Sequence, residues 1–586
     1  RFRGGLFQSM WRPWFLAVAS LFLLQSSANE LDDYVNKDDG AFSWVNTGVS
    51  FEGAVPGVAS WKGVVLNVTS QRWLTEADST CHLWWHHVVV IVPDNMEHPT
   101  CAGAWVTGND NNPGDYPKGT DSDVLLAAAM AVSTRAPSIS VFQIPNQKCV
   151  FALDPTKEER KEDGFIAFTW KHYMEACKAG DCDTAKEWPA RLPMVKGVVK
   201  AMDAVTEFLQ QEASAPLIPE AWAAAPLPKV ENWIVMGASK RGWTTWLTAA
   251  VDKRVKAIVP VVMDGLSLND QLHHFYQSLG GWTFAFDDYL KAGITTAVDT
   301  EPLARLMEIE DPISYKDRLT MPKLVVSSSD DEFFMLDDTR YWWSQMPGEN
   351  HFFIPPNTEH SMATGYTEIV PPAAAFASSI ILQLTQEAKV ERQEQEQERL
   401  VEPSAEASLP RWGRPKANWT LDRLAGRIIL DVHQQQSTSD ADGGAVNGGS
   451  LARLEKVTLR HASTPGLAAV DGRRDFRWVT LQNPCPYPTL SLLGSDVCPN
   501  PILWRGQVIK PTATLSGGAA GEKTLRFDVT LPPAPLGFAA AYLEMRFAGP
   551  SETFGFPFAE TTETIIVPDK FPFPDCTKDA CLGKLV

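Results

Sequence analysis

Between Met236 and Trp246 the chain reads MGASKRGWTTW. An apolar run ends in glycine, a serine follows two residues on, a second glycine comes three later, and helix formers continue. Few folds accept this order. A serine on a tight, glycine-flanked bend between strand and helix is how one large α/β fold lifts a nucleophile above the C-terminal edge of its sheet. The bend therefore predicts a mostly parallel, doubly wound sheet around it, with Ser239 exposed at the strand ends where ligands of such sheets bind.

The flanking sequence has the texture of that sheet. From about Phe51 to Ile381, short runs rich in Val and Ile alternate with helix-like segments, as strands covered on both faces do. The runs VVVIVP (from Val88), AGAWVTG (from Ala102), SISVFQIP (from Ser138) and NWIVMG (from Asn232) read as strands. So do VKAIVPVVMD (from Val255), KLVVSSS (from Lys323) and HFFIP (from His351). The stretch 154–228, charged and helical, supplies the helix before Asn232 and a cap over the site.

Two further residues fall beyond strand ends in a telling order. Asp331 follows KLVVSSS, and His360 follows HFFIP in PPNTEHSM. Ser, Asp, His is the chain order of a triad in an α/β-hydrolase. A serine hydroxyl needs an imidazole to take its proton, and a buried carboxylate orients that imidazole. Asp330 is the alternative acid. The oxyanion donors expected are the amide of Lys240 and one from the loop of Gly108, Asn109 and Asp110. The elbow departs from Gly-x-Ser-x-Gly in having Arg241 at the second glycine's place and Gly242 one later. Glucuronoyl esterases have a similar arrangement, Gly-x-Ser-Arg-x-Gly. Lys240 and Arg241 then sit at a helix N-terminus, where cations oppose the dipole, so they are expected to pair with an acid or to act near the oxyanion.

Composition removes several function classes. A net charge of −19 over 586 residues lacks the basic surface that nucleic acid or an anionic membrane requires. The adjacent pairs His86-His87 and His273-His274 have no metal-ligand spacing, so neither a metal nor a cofactor is expected. Residues 1–28 read as an export signal, with Arg1, Arg3 and Arg12 before the short apolar stretch Trp14 to Leu24, cut after Ala28. No later segment reads as a membrane span, so no stable membrane insertion is expected after cleavage. Sequons at Asn67 and Asn418 suit the same compartment. So do the close cysteine pairs Cys177 with Cys182, Cys485 with Cys498 and Cys576 with Cys581. Cys81, Cys101 and Cys149 leave one thiol over.

After a Glu/Gln-rich helix end and linker at 385–410, short β-type runs separated by Gly, Pro and Asn turns replace the alternation. They predict an antiparallel, Ig-like β-sandwich over 411–586 behind a hydrolase domain at 29–384.

Several blocks together are similar to the PhoPQ-activated pathogenicity-related proteins, which include autocrine proliferation repressor-like proteins. They are GASKRGWTTWLTAAVDKRVKAIVPVVMD, YLKAGI, DPISYKDRLTMPKLVVSSSDDEFF and IPPNTEHS, with SQRW (from Ser70), PNQ (from Pro145) and RDFRW (from Arg474). The resemblance spans nearly the whole chain after residue 28. It implies an α/β-hydrolase core like that of dipeptidyl-peptidase-type serine peptidases, a C-terminal β domain, and a triad on Ser239, Asp331 and His360. Two function classes follow: a secreted serine hydrolase acting on a small-molecule or peptide ester or amide, or a secreted signalling protein with a cell-surface partner that keeps the fold without turnover.

Overall fold

The computed structural model describes residues 29–223, 226–397, 412–435, 450–464, 472–481, 484–485, 487–492, 495–516, 522–534, 536–549 and 556–586. The expected signal segment at 1–28 lies outside them. The strands of the main sheet are β1 (Ser43–Val55), β2 (Ala59–Arg72), β3 (Leu83–Pro93), β4 (Cys101–Val106) and β5 (Ser138–Val141). They continue with β6 (Asn232–Ala238), β7 (Val255–Val261), β8 (Lys323–Val326) and β9 (Asn350–Phe353). Their spatial order is β1-β2-β3-β5-β4-β6-β7-β8-β9. The β1 to β3 neighbours and the β3–β5 pair are antiparallel, and every later pair is parallel. The order doubles back at β4, so the crevice beyond the ends of β4 and β6 is the topological switch point.

Each predicted strand run appears in this sheet; five of the seven are shortened at the C-terminal end, while VVVIVP runs to the end of β3 and NWIVMG falls one residue short of the end of β6. The hairpin of β1 and β2 was not expected. Its polar interruptions, with Asn46, Asn67 and Thr69 inside, hide the strands from a reading of apolar runs, and β1 alternates half-buried and exposed as an edge strand does.

The helices are α1 (Glu30–Asn36), α2 (Ser122–Thr134), α3 (Glu162–Lys178), α4 (Arg191–Leu209) and α5 (Lys240–Val251). They are followed by α6 (Leu268–Leu279), α7 (Asp287–Ala292), α8 (Glu301–Glu310) and α9 (Tyr366–Gln397). α2 and α9 pack together on one face, while α4 and α5 cover the other. The stretch expected as a cap divides: α4 is a core helix against β2 and β3, and only α3 and the start of α4 reach the site. Most of the roof comes instead from α6, α7 and the turns around them, an insertion between β7 and β8 that apolar periodicity did not distinguish from ordinary crossover helices.

The Glu/Gln-rich segment is helical through Gln397, as the end of α9. By length and composition α9 could cross a bilayer over Tyr366–Glu391, against the expectation that no later segment would. Its apolar side chains, among them Ala374, Phe376 and Ile381, are buried between the main sheet and the C-terminal strands. Those strands form a sheet of 416–422, 427–435, 522–530 and 513–516 and a second of 505–509, 454–463, 539–547, 558–561 and 565–567, both antiparallel. Leu430, Phe527, Leu543 and Phe547 share one apolar core with Phe376 and Ile380 of α9.

Four disulfides join Cys81 to Cys149, Cys177 to Cys182, Cys485 to Cys498 and Cys576 to Cys581, a number suited to an oxidising compartment. Cys101 is the buried free thiol. Asn418 is exposed, whereas Asn67 is half-buried in the middle of β2.

Candidate active site

Ser239 sits between β6 and α5 with φ 56° and ψ −126°. A side-chain-bearing residue held in that region costs on the order of 1–3 kcal/mol. Here its amide donates to Val261 O at 2.8 Å, and its carbonyl accepts from Trp243 N at 3.0 Å. The close approach of α5 to β6 and β7 explains the flanking glycines. A Cβ on Gly237 would lie 2.7 Å from Arg241 O, and one on Gly242 would lie 2.9 Å from both Met263 Cβ and Val261 O. Position 242, not 241, therefore carries the steric demand, which resolves the departure in the motif.

Arg241 turns away from the crowded bend. Its guanidinium forks onto Glu162, Nη1 to Oε2 at 2.7 Å and Nη2 to Oε1 at 2.6 Å, while Nε donates to Ile144 O at 2.6 Å. It fills the space over Gly108, where a Cβ would come within 2.3 Å of Nη2. Lys240 Nζ lies 3.1 Å from both Glu162 and Asp163, the first residues of α3. Burial alone would raise the Glu162 carboxyl, but Arg241 and Lys240 hold it far below the ordinary carboxylate range. The two cations at the start of α5 are thus paired with acids, one of the two roles expected for them.

The loops after β8 and β9 bring the other two residues to the serine. His360 Nε2 lies 2.9 Å from Ser239 Oγ, and Nδ1 lies 2.8 and 2.9 Å from the two oxygens of Asp331. Asp331 Oδ1 also accepts from the amides of Phe333 (2.7 Å) and Phe334 (3.0 Å), and Oδ2 from Ser328 Oγ at 3.1 Å. Phe333 packs against the imidazole, with ring centroids 4.3 Å apart. Glu332 Oε2 accepts from the His360 amide. Burial and the nearby Asp331 push the Glu332 carboxyl up to about 7.

Asp330 faces the other way. Its Oδ1 accepts from Trp504 Nε1 at 3.0 Å, its carbonyl accepts from the Trp478 amide, and burial lifts its carboxyl to about 8. Trp504 and Trp478 belong to the C-terminal β region, which reaches the same loop a second time. Arg474, fully buried, forks onto Asp337 at 2.8 and 2.6 Å and touches His274 Nε2 at 3.0 Å, while His274 Nδ1 lies 2.7 Å from Asp338. Burial alone would raise the Asp337 carboxyl, but the opposing Arg474 charge holds it well below its ordinary value. Nothing in the residues themselves linked RDFRW to the acid loop; the pairing joins positions far apart in the chain.

Lys240 is the first residue of α5, so its amide has no intrahelical acceptor. β4 and β6 are neighbours, with Val106 opposite Gly237, which sets Gly108 and Asn109 beside the elbow. Asn109 has φ 100°, and the amides of Gly108 and Asn109 donate to no protein acceptor among the described residues. Below Ser239 opens a narrow pocket lined by apolar and aromatic side chains, among them Trp170, Trp243, Leu268, Phe286 and Tyr289.

A nine-stranded sheet reversing at β4, an elbow after β6, and a hydrogen-bonded Ser–His–Asp chain at the strand ends define an α/β-hydrolase fold. The chain belongs within it to the PhoPQ-activated pathogenicity-related family, whose family model matches residues 31–407. It is similar to autocrine proliferation repressor protein A of Dictyostelium discoideum, 30% identical over 575 residues, covering 96% of this chain and 94% of that one. Among solved structures it is similar to an acetyl xylan esterase from a Thermoanaerobacterium species, at 13% identity and TM-score 0.35, over 60% of this chain and 94% of that chain. It is similar also to a puromycin-hydrolysing peptidase of Mycobacterium tuberculosis, at 14% identity and TM-score 0.30, over 51% of this chain and 37% of that chain. These two likenesses add nothing to the strand order described above.

Proposed function

We propose that the protein is a secreted serine hydrolase that cleaves an ester or amide through an acyl-enzyme on Ser239. The observation that carries this reading is the position of His360, with Nε2 2.9 Å from the serine hydroxyl and Nδ1 on the Asp331 carboxylate. Ser239 Oγ attacks the carbonyl carbon while His360 Nε2 takes its proton. The oxyanion is met by the Lys240 amide and by a second amide from Gly108 or Asn109. Collapse breaks the bond to the leaving alcohol or amine, which takes the proton from His360. Water, deprotonated by the same imidazole, then hydrolyses the acyl group and restores the serine. Export fits the four disulfides, with the leader removed after Ala28. The exposed Asn418 suits a glycan better than the half-buried Asn67.

A second reading is favoured by one observation: the relative at 30% identity is named for repression of proliferation, not for an enzyme activity. On that reading the fold serves a cell-surface partner without turnover. A fluorophosphonate probe separates the two. Labelling of the native protein that is lost in Ser239→Ala supports the hydrolase. A folded protein that resists the probe supports the signalling reading.

A further inference from the structure

Of the charged side chains that line the pocket beneath Ser239, one makes no ion pair among the described residues. Arg191, the first residue of α4, lines it together with Ser239 and is 1% exposed. Its guanidinium lies 4.5 Å above the Trp243 ring, and its one side-chain hydrogen bond among the described residues is Nη1 to the Met194 sulfur at 3.5 Å. Nε has no partner, and no carboxylate lies within 4 Å of the guanidinium among the described residues. The other ionic groups of the pocket are matched: Asp163 takes Lys240 Nζ at 3.1 Å and the Tyr289 hydroxyl at 2.9 Å.

An unpaired buried cation is costly, and this one stands at a helix N-terminus, where the dipole opposes it as well. The nearby buried acid, Glu310, is occupied otherwise. Its Oε1 accepts from the Arg191 backbone amide and its Oε2 from Trp170 Nε1, and burial raises its carboxyl above the ordinary value although the nearby Arg191 charge, which makes no direct ion pair with it, opposes this. Aromatic stacking offsets only part of the cost. The fork of donors in the pocket wall is what a carboxylate would satisfy with charge-assisted hydrogen bonds.

We propose that Arg191 is the specificity-determining residue of this pocket, and that the substrate is a small ester or amide whose pocket-filling arm ends in a carboxylate. The proposal rests on the hydrolase reading for its reaction but not for its binding site. The size of the arm follows from the narrow space, about 40 Å³ of cavity. That admits an arm of a few carbons and excludes a long acyl chain.

The test has a binding and a kinetic part, both on the full chain. Butyrate and butyramide are titrated against the tryptophan fluorescence of the pocket in wild type, Arg191→Met and Arg191→Lys. Butyrate should bind at least about tenfold more weakly to Arg191→Met, with partial recovery in Arg191→Lys and no such change for butyramide. Equal affinity for butyrate in wild type and Arg191→Met overturns the proposal, whatever the enzyme activity. Kinetically, mono(4-nitrophenyl) glutarate is compared with 4-nitrophenyl valerate, and 4-carboxyphenyl butyrate with phenyl butyrate, to tell an anion on the acyl arm from one on the leaving group. The anionic member of one pair should be preferred, and that preference in kcat/KM should fall about tenfold or more in Arg191→Met. No preference in either pair overturns the substrate class. Failure of every ester together with failure of fluorophosphonate labelling overturns the hydrolase reading instead, and the butyrate titration still decides the anion site. Where Arg191→Met does not fold, Arg191→Gln takes its place.

Discussion

Replacing Asp331 by asparagine is the sharpest perturbation of the proposed chemistry, because the hydrogen bonds around this carboxylate dictate how the amide must sit. Oδ1 accepts from two backbone amides, of Phe333 and Phe334. In Asp331→Asn the side-chain oxygen must stay there, since an NH₂ group would oppose two donors. The amino group then takes the Oδ2 position, 2.9 Å from His360 Nδ1, while Oδ1, 2.8 Å from the same nitrogen, is already shared with the two backbone donors. A donor facing Nδ1 favours the tautomer that carries its proton on Nε2, and that tautomer cannot accept from Ser239 Oγ. Loss of the orienting carboxylate lowers turnover about 10⁴-fold in a comparable triad, which is about 5 kcal/mol of transition-state stabilisation. The fold should survive, because the two backbone donors and Ser328 keep partners. The second-order rate of fluorophosphonate labelling at neutral pH reads the effect without a known substrate. Asp330→Asn is the control. Its carboxyl, lifted to about 8 by burial, is mostly protonated at pH 7, so an amide is nearly its isostere, and labelling should stay within a few-fold of wild type. Labelling of Asp331→Asn at the wild-type rate, with its thermal melt unchanged, would refute the reasoning. So would a larger loss in Asp330→Asn than in Asp331→Asn.

Two other outcomes follow from particular contacts. Gly242→Ala forces a Cβ to within 2.9 Å of Val261 O and Met263 Cβ, so it should cost ~1–3 kcal/mol in a denaturant melt and slow labelling of Ser239; an unchanged labelling rate would show that the elbow tolerates the shift. His351, buried between Glu349 and Glu560 of the C-terminal sheet, would be lowered by burial alone, but these carboxylates raise it to about 9. A raised folded pKa means that its stabilisation, on the order of 3 kcal/mol, is full below about pH 6.5 and lost as pH climbs through 9. The raised carboxyls of Asp330 and Glu332, favoured in their neutral forms, change in the same direction. The melting temperature should fall between pH 6.5 and 9, with a shallower slope in His351→Gln, and an identical slope in that variant would remove His351 from the account.

What the sequence determined by itself is what neighbouring residues enforce on each other. Runs such as VVVIVP and the KLVV of KLVVSSS must be strands buried on both faces, and Gly237 and Gly242 must flank a bend because no side chain fits where the helix meets the strand. The order of Ser239, Asp331 and His360 beyond successive strands followed from the same local reading, and the structure brings these three side chains within hydrogen-bond distance. Only the tertiary structure decided which of two adjacent aspartates meets the histidine. Asp330 and Asp331 are locally equivalent, and the choice depends on Trp504, whose indole holds Asp330 from 174 residues away. The same holds for Arg241 on Glu162, for Arg474 on Asp337, for the pairing of Cys81 with Cys149, and for the unmatched Arg191 beneath the serine. The physical reason is common to all of them. Hydrophobic period and turn chemistry are carried by neighbouring residues, whereas the partner of a buried charge depends on which distant segments the packed sheet and its C-terminal strands set side by side.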